Sequence, residues 1–253
     1  MSKPKKDDQP EIRQKEQHQE QGKGSVVKKM SPIAAFFVAL LIVIGQILFG
    51  VGNHTLDMGE IPAWSGEAFA VVREGQPSFR QQDLVTTSYE YYAPLDDLGR
   101  CGVTMACIGR DLMPKEDRGD ISQVKPSGWV QNFYDFVDGE ALYNRCHLIG
   151  FQLAGENANE CNLITGTRYM NVEGMLPFEN MIADYVKETG NHVIYRVTPI
   201  FVGEELVARG VQMEAWSVED GGDGICFHVF CYNVQPGVKI NYATGENKLS
   251  KSK

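Results

Sequence analysis

The chain reads as an α+β protein: an antiparallel β-sheet core flanked by helices and preceded by one transmembrane helix. Three observations predict this. Beyond residue 53, apolar runs of strand length recur between glycines and prolines. Among them, 176–189 carries apolar residues at helical spacing. Ahead of them all, Pro32 to Val51 is an uncharged stretch of about twenty residues.

Residues 1–30 are rich in Lys, Glu and Gln, with almost no bulky apolar side chain. They bury too little to offset the entropy of ordering, and are expected to form a disordered cytoplasmic tail. Residues 31–52 are expected to be a signal-anchor. At a rise of ~1.5 Å per residue, "PIAAFFVALLIVIGQILFGV" suffices to cross ~30 Å of hydrocarbon. A cleaved signal peptide is the competing reading. Its apolar region usually spans about 7 to 15 residues before a small-x-small cleavage site, which "LFGVGNHT" lacks. A buried core helix fits poorly, because every face of the run is apolar. Lys28 and Lys29 precede the run, and Asp57 and Glu60 follow it. The positive-inside rule therefore puts residues 53–253 outside the cell on a single-pass membrane protein, with secretion after cleavage as the alternative.

Within 53–253, "GEAFAVV" and "VTMACIG" are strand-length runs. "SGWVQNFYDFVDGEALYNRCHLIGF" reads as two strands joined by a turn at Asp138-Gly139, and "NHVIYRVTPIFVG", "ELVARGVQMEAWSV" and "GICFHVFCYNVQPG" each read as one more. The helix is "LPFENMIADYVKET". Phe178, Ile182, Tyr185 and Val186 share a face, Lys187 lies near the end and Gly190 supplies the stop. Pro177 is tolerable in a first turn. No internal repeat is present.

At 253 residues and 43% hydrophobic content the chain can bury a real core. Its formal charge is -9, yet residues 1–30 hold eight basic residues against five acidic ones. That leaves 16 against 28 in the remainder, a net -12. A uniformly basic, nucleic-acid-coating surface is excluded. A polyanion would have to be held by a local arginine or lysine cluster, or by a bound cation. All six cysteines lie beyond the apolar run, where disulfides are allowed. On one strand, Cys101 and Cys107 would stand ~20 Å apart, and Cys226 and Cys231 would face opposite sides, so neither pair closes within its own strand. No CxxC occurs, which disfavours structural zinc.

Of five histidines, His18 falls in the tail, His54 at the end of the span, His192 in a turn where a solvated role is expected, and His228 in mid-strand. His147 remains, in "YNRCHLIGFQLAGENANECN". Its neighbours alone leave open a reactive base, a metal ligand and a buried strand residue. Downstream, Asn162, Asn171 and Glu179 follow at offsets of 15, 24 and 32.

With these residues the chain resembles the DNA/RNA non-specific endonuclease family, the ββα-metal nucleases, and within it the bacterial membrane-anchored DNA-entry nucleases. The family pattern is Asp-Arg-Gly-His, then an Asn before an Ile-Thr-like stretch, a second Asn nine residues on and a Glu eight beyond. Here Asn144-Arg145-Cys146-His147, Asn162, Asn171 and Glu179 stand at that spacing. The likeness extends through "PLDDLGRCGVTMACIGRDLMP", "VKPSGW" and "YNVQPGVKINYATGE". It implies a Mg²⁺-dependent phosphodiesterase, with Mn²⁺ as a possible substitute, acting on DNA and also RNA. His147 would be the general base, since neutral imidazole with a pKa near 6.5 can take a proton from water. Asn171 would hold the cation through its amide oxygen, and Glu179, ~12 Å further along a helix, would reach its hydration shell. Asn162 would orient substrate or the metal-side network, and Arg145 or Arg168 would pair with phosphate. Two residues depart from the pattern: Asn144 replaces Asp and Cys146 replaces Gly. A Cys146–His147 dyad is not expected, because adjacent strand residues face opposite sides. The rival from another class is a non-catalytic surface DNA-binding or receptor module of the same fold. Survival of His147, Asn162, Asn171 and Glu179 argues against it, because binding alone needs no base.

Overall fold

A computed structural model describes residues 55–250, so the predicted tail and the whole predicted span lie outside the described residues. Among the described residues, no helix is long and apolar enough to cross a membrane. The principal elements are β1 (Phe69–Val71), β2 (Tyr89–Tyr92), β3 (Thr104–Ile108), β4 (Tyr143–His147), α1 (Phe151–Ala154), β5 (Leu163–Thr167), α2 (Leu176–Thr189), β6 (Val193–Ile200), β7 (Gly210–Ser217), β8 (Cys226–Tyr232), β9 (Val238–Ile240) and β10 (Asn247–Leu249).

Six of these strands make one antiparallel sheet in the order β1-β8-β7-β6-β3-β2. Alternation along the long strands gives it two different faces. Val193, Tyr195 and Val197 of β6, Val211, Met213 and Ala215 of β7, and Phe227, Val229 and Cys231 of β8 join Phe178, Ile182, Ala183 and Val186 of α2 in the main core. The intervening residues include Arg196, Gln212, Glu214 and His228, all buried on the far face. Phe178 locks α2 onto the sheet, its ring 4.9 Å from Phe69 and 4.8 Å from Phe227. Each such pair adds roughly 0.5–1.5 kcal/mol beyond its buried area. Pro199 cannot donate to a ladder, and it falls beyond the last β3–β6 pair, Thr104↔Val197.

The predicted helix is α2. It ends where Gly190 takes the left-handed conformation (φ 79°) and donates its N–H to Val186 O. The predicted hairpin across 127–151 is corrected: β4 pairs with β5, downstream. Residues 134–140 instead fold on themselves, Tyr134 N–H donating to Glu140 O at 2.8 Å, with only an isolated bridge at Phe133↔Ala141. The Gln131 side chain both donates to Tyr143 O and accepts from Tyr143 N–H, in the manner of a strand partner. Strands β2, β5, β9 and β10 were not predicted. All six cysteines are free.

Candidate active site

The β4–β5 pair runs from Tyr143↔Thr167 to His147↔Leu163, outside the six-stranded sheet. The chain then enters α2 through a π-helical turn at Met170–Met175. In a straight α-helix the Pro177 ring would press on the Glu173 carbonyl, and the widened turn before it relieves that contact. This strand–strand–helix unit delivers Asn144, Arg145 and His147 from β4, Asn171 from the turn and Glu179 from α2 to one cleft of about 560 Å³. Arg168 lines it as well.

His147 is 7% exposed. Its Nε2–H donates to Asn157 O at 2.8 Å, which leaves Nδ1 without a proton. Arg118 Nη2 approaches Nδ1 at 3.4 Å. Burial pushes the imidazole down to about 4; the Asn157 carbonyl opposes this, and the Arg118 charge adds to it. The ring is therefore neutral near pH 7. Arg118 was not singled out from the sequence. It lies in the charged loop "KEDRGD", with no periodicity to set it apart. Glu179 is 8% exposed, and burial pushes its carboxyl up to about 8 against the Gly150 N–H and Arg118, which lower it. Gly150 makes this approach possible, since a Cβ there would stand 2.6 Å from Glu179 Oε2.

The Asn171 carboxamide sits between two β4 side chains. Its Nδ2 donates to Asn144 Oδ1 at 3.2 Å, and its Oδ1 accepts from Cys146 Sγ at 3.0 Å. Arg168 Nη2 is paired with Asp138 at 2.6 Å and Nη1 reaches Asn144 Oδ1 at 3.4 Å. Arg145 donates to the Val124 and Ser122 carbonyls and lies 4.3 Å over the Trp129 ring. Both predicted phosphate-binding guanidiniums thus line the cleft with part of their donor set already engaged.

Asn162 differs from its expected role. It is fully buried, accepts from Ile149 N–H at 2.9 Å and donates to Ile149 O at 3.0 Å, while its own carbonyl accepts from Leu148 N–H. The side chain does not reach the cleft. It clamps the chain between His147 and Gly150, because a buried amide must satisfy both its ends. Two other histidines are accounted for. His192 pairs with Glu219 at 2.7 Å and is not simply solvated, and His228 is buried between Gln76 O and the Gln212 amide.

Three arginines line the cleft, 118, 145 and 168, against the single carboxyl of Glu179. In an otherwise acidic body this is the local basic cluster that a polyanion requires.

A family model for DNA/RNA non-specific endonuclease matches residues 81–219. A deoxyribonuclease of Streptococcus dysgalactiae subsp. equisimilis is 28% identical over 239 residues, covering 77% of this chain and 70% of that protein. Among solved structures, NucA from Streptococcus agalactiae with magnesium ion bound superposes with a TM-score of 0.67 at 24% identity, over 76% of this chain and 93% of that one. At that identity the likeness speaks to the fold. Sda1 nuclease with bound zinc ion gives a TM-score of 0.60 at 25% identity, over 75% of this chain and all of the other.

Proposed function

The chain belongs to the DNA/RNA non-specific endonuclease family and is a nuclease; from that premise we propose that it cuts both DNA and RNA without sequence preference, using Mg²⁺, outside the cell. The observation that carries the reading is the unprotonated Nδ1 of a neutral His147, with Arg118 beside it, in a cleft lined by three arginines. The placement of residues 53–253 outside the cell rests on the charge asymmetry around residues 32–51.

The donor set fits a hard cation. Among the described residues, no three His, Cys, Asp or Glu side chains gather to hold an ion. The cleft offers the amide oxygen of Asn171 and a buried carboxyl, Glu179, whose ionisation a nearby positive charge would favour. One protein oxygen plus water suits Mg²⁺, with Mn²⁺ as a substitute. Asn171 would hold the ion and Glu179 would face its hydration shell. When bound, the cation supplies positive charge that offsets charge gathering on the phosphate and the departing 3′ oxygen.

The protein's own groups do the rest. His147 Nδ1 takes the proton of the attacking water. The Nε2–H bond to Asn157 O fixes the tautomer, and strengthens as the ring gains charge. Arg118, already beside Nδ1, can turn a guanidinium N–H to a phosphate oxygen. Arg145 and Arg168 grip neighbouring phosphates with their free N–H groups. Phosphate contacts carry no sequence information, so non-specific cutting follows.

The test is incubation of the protein with plasmid and with RNA, with Mg²⁺ and with chelator. Degradation of both that stops with chelator is expected; shifted but intact bands would point to a binding module. His147→Gly should stay folded, bind DNA, and lose about 10² to 10⁴ in rate, part of which added imidazole restores. Unchanged turnover in that variant would remove His147 from the chemistry.

A further inference from the structure

The contacts around Asn171 form a directed chain whose polarity is forced from its outer end. The Arg168 guanidinium, anchored by Asp138, carries donors only, so the Asn144 atom facing it at 3.4 Å is the oxygen. The same oxygen accepts from Asn171 Nδ2 at 3.2 Å. Asn171 Oδ1 is thereby turned toward Cys146 Sγ at 3.0 Å. That thiol has one proton and two candidate acceptors, the amide oxygen and Met175 Sδ at 3.4 Å. A thioether accepts weakly, so the proton goes to Asn171. Cys146 is fully buried, and no water competes for it. An amide oxygen has two lone pairs, and accepting from the thiol leaves one for a cation.

We propose that Cys146 is a positioning residue: its S–H, acting with the Arg168–Asn144 pair, holds the Asn171 carboxamide so that oxygen and not nitrogen is offered to the cation. The inference rests on the reading of Asn171 as cation ligand. A glycine at this position would have no side-chain donor, so the device depends on the Cys146 thiol. A freely rotating amide would present its N–H₂ end to the ion part of the time, and fixing it removes that loss before binding.

The test uses Mn²⁺ as probe and the full-length protein, reading free ion by electron paramagnetic resonance and turnover separately. Cys146→Ala should weaken Mn²⁺ binding about fivefold, the effect of losing one ordinary hydrogen bond, with kcat at saturating Mn²⁺ little changed. Cys146→Ser, whose hydroxyl donates, should recover most of the affinity. Wild-type affinity in Cys146→Ala, or a serine no better than alanine, overturns the proposal. Asn171→Ala separates the two readings. If it keeps Mn²⁺ affinity, the ion is not held by Asn171 and both fall; if it loses affinity and Cys146→Ala does not, only the positioning role falls. Should the Cys146 variants not fold, infrared spectra of the wild type and Asn171→Ala decide. One S–H stretching band should move to the higher frequency of a thiol left with only the weakly accepting Met175 thioether when Asn171 is truncated, and an unmoved set of bands overturns the proposal.

Discussion

His147 carries opposite requirements for chemistry and for stability. Burial holds its folded pKa near 4, below the ordinary 6.5. Between those values the unfolded chain binds a proton that the native site refuses. The stability is fully present above about pH 6.5 and is lost as pH falls through about 4, by up to ~3 kcal/mol for a shift of this size. In metal-free protein, wild type should therefore lose more melting temperature between pH 7 and pH 4 than His147→Gln, which has nothing to titrate there. Parallel losses would show that this imidazole does not titrate in that window. The residue scale is also where the sequence was least explicit. The spacing marked His147, Asn171 and Glu179, but not that Asn162 faces the backbone of Ile149 or that Arg118 stands beside Nδ1. Those facts depend on residues 13 and 29 positions away in the chain.

At the scale of elements, the strand–strand–helix unit is held together by close approach. Gly150 follows β4, and α2 brings Glu179 so near that any Cβ at 150 would meet both carboxylate oxygens, at 2.6 and 2.9 Å. Gly150→Ala should cost about 1–3 kcal/mol by overpacking. In a Glu179→Ala background the same substitution should cost much less, because its obstacle is gone. Equal costs in denaturant melts of the two backgrounds would place the strain elsewhere. Helix α2 was legible from end to end, since its apolar spacing and Gly190 are local signals. The partner of β4 was not. A five-residue strand does not state which of two flanking segments it will pair with, and Asp138-Gly139 is a turn signal that the chain spends on a small local loop.

Across the whole molecule, the two sheet faces have different tasks. One packs α2 and supports the cleft; the other buries Arg196 against Glu214 at 2.7 Å, with Ser78, Gln212 and His228 completing the network. That network ties the segment before β2 to the sheet, Ser78 donating both N–H and Oγ–H to Glu214. Glu214→Ala should cost about 3–5 kcal/mol, because it strands a buried guanidinium, whereas exchanging both partners for apolar residues of similar volume should cost far less. Activity per folded molecule should be retained in either case, as the cleft lies beyond the opposite face. A double replacement as damaging as the single one would show that the pair is needed for more than satisfying its own charges.

The sequence by itself determined the antiparallel α+β class, the span of α2, the long strands β6 to β8 and the family to which the chain belongs, because period, turn residues and motif spacing are all written within short stretches. Only the tertiary structure decided that β4 pairs with β5, that Arg118 joins His147, and that Asn162 acts on the chain instead of the cleft. It also decided the direction of the Asn171 amide. Each of these is set by which buried donor finds an acceptor from a distant segment, and a buried polar group left unpaired costs more than local propensity can offset.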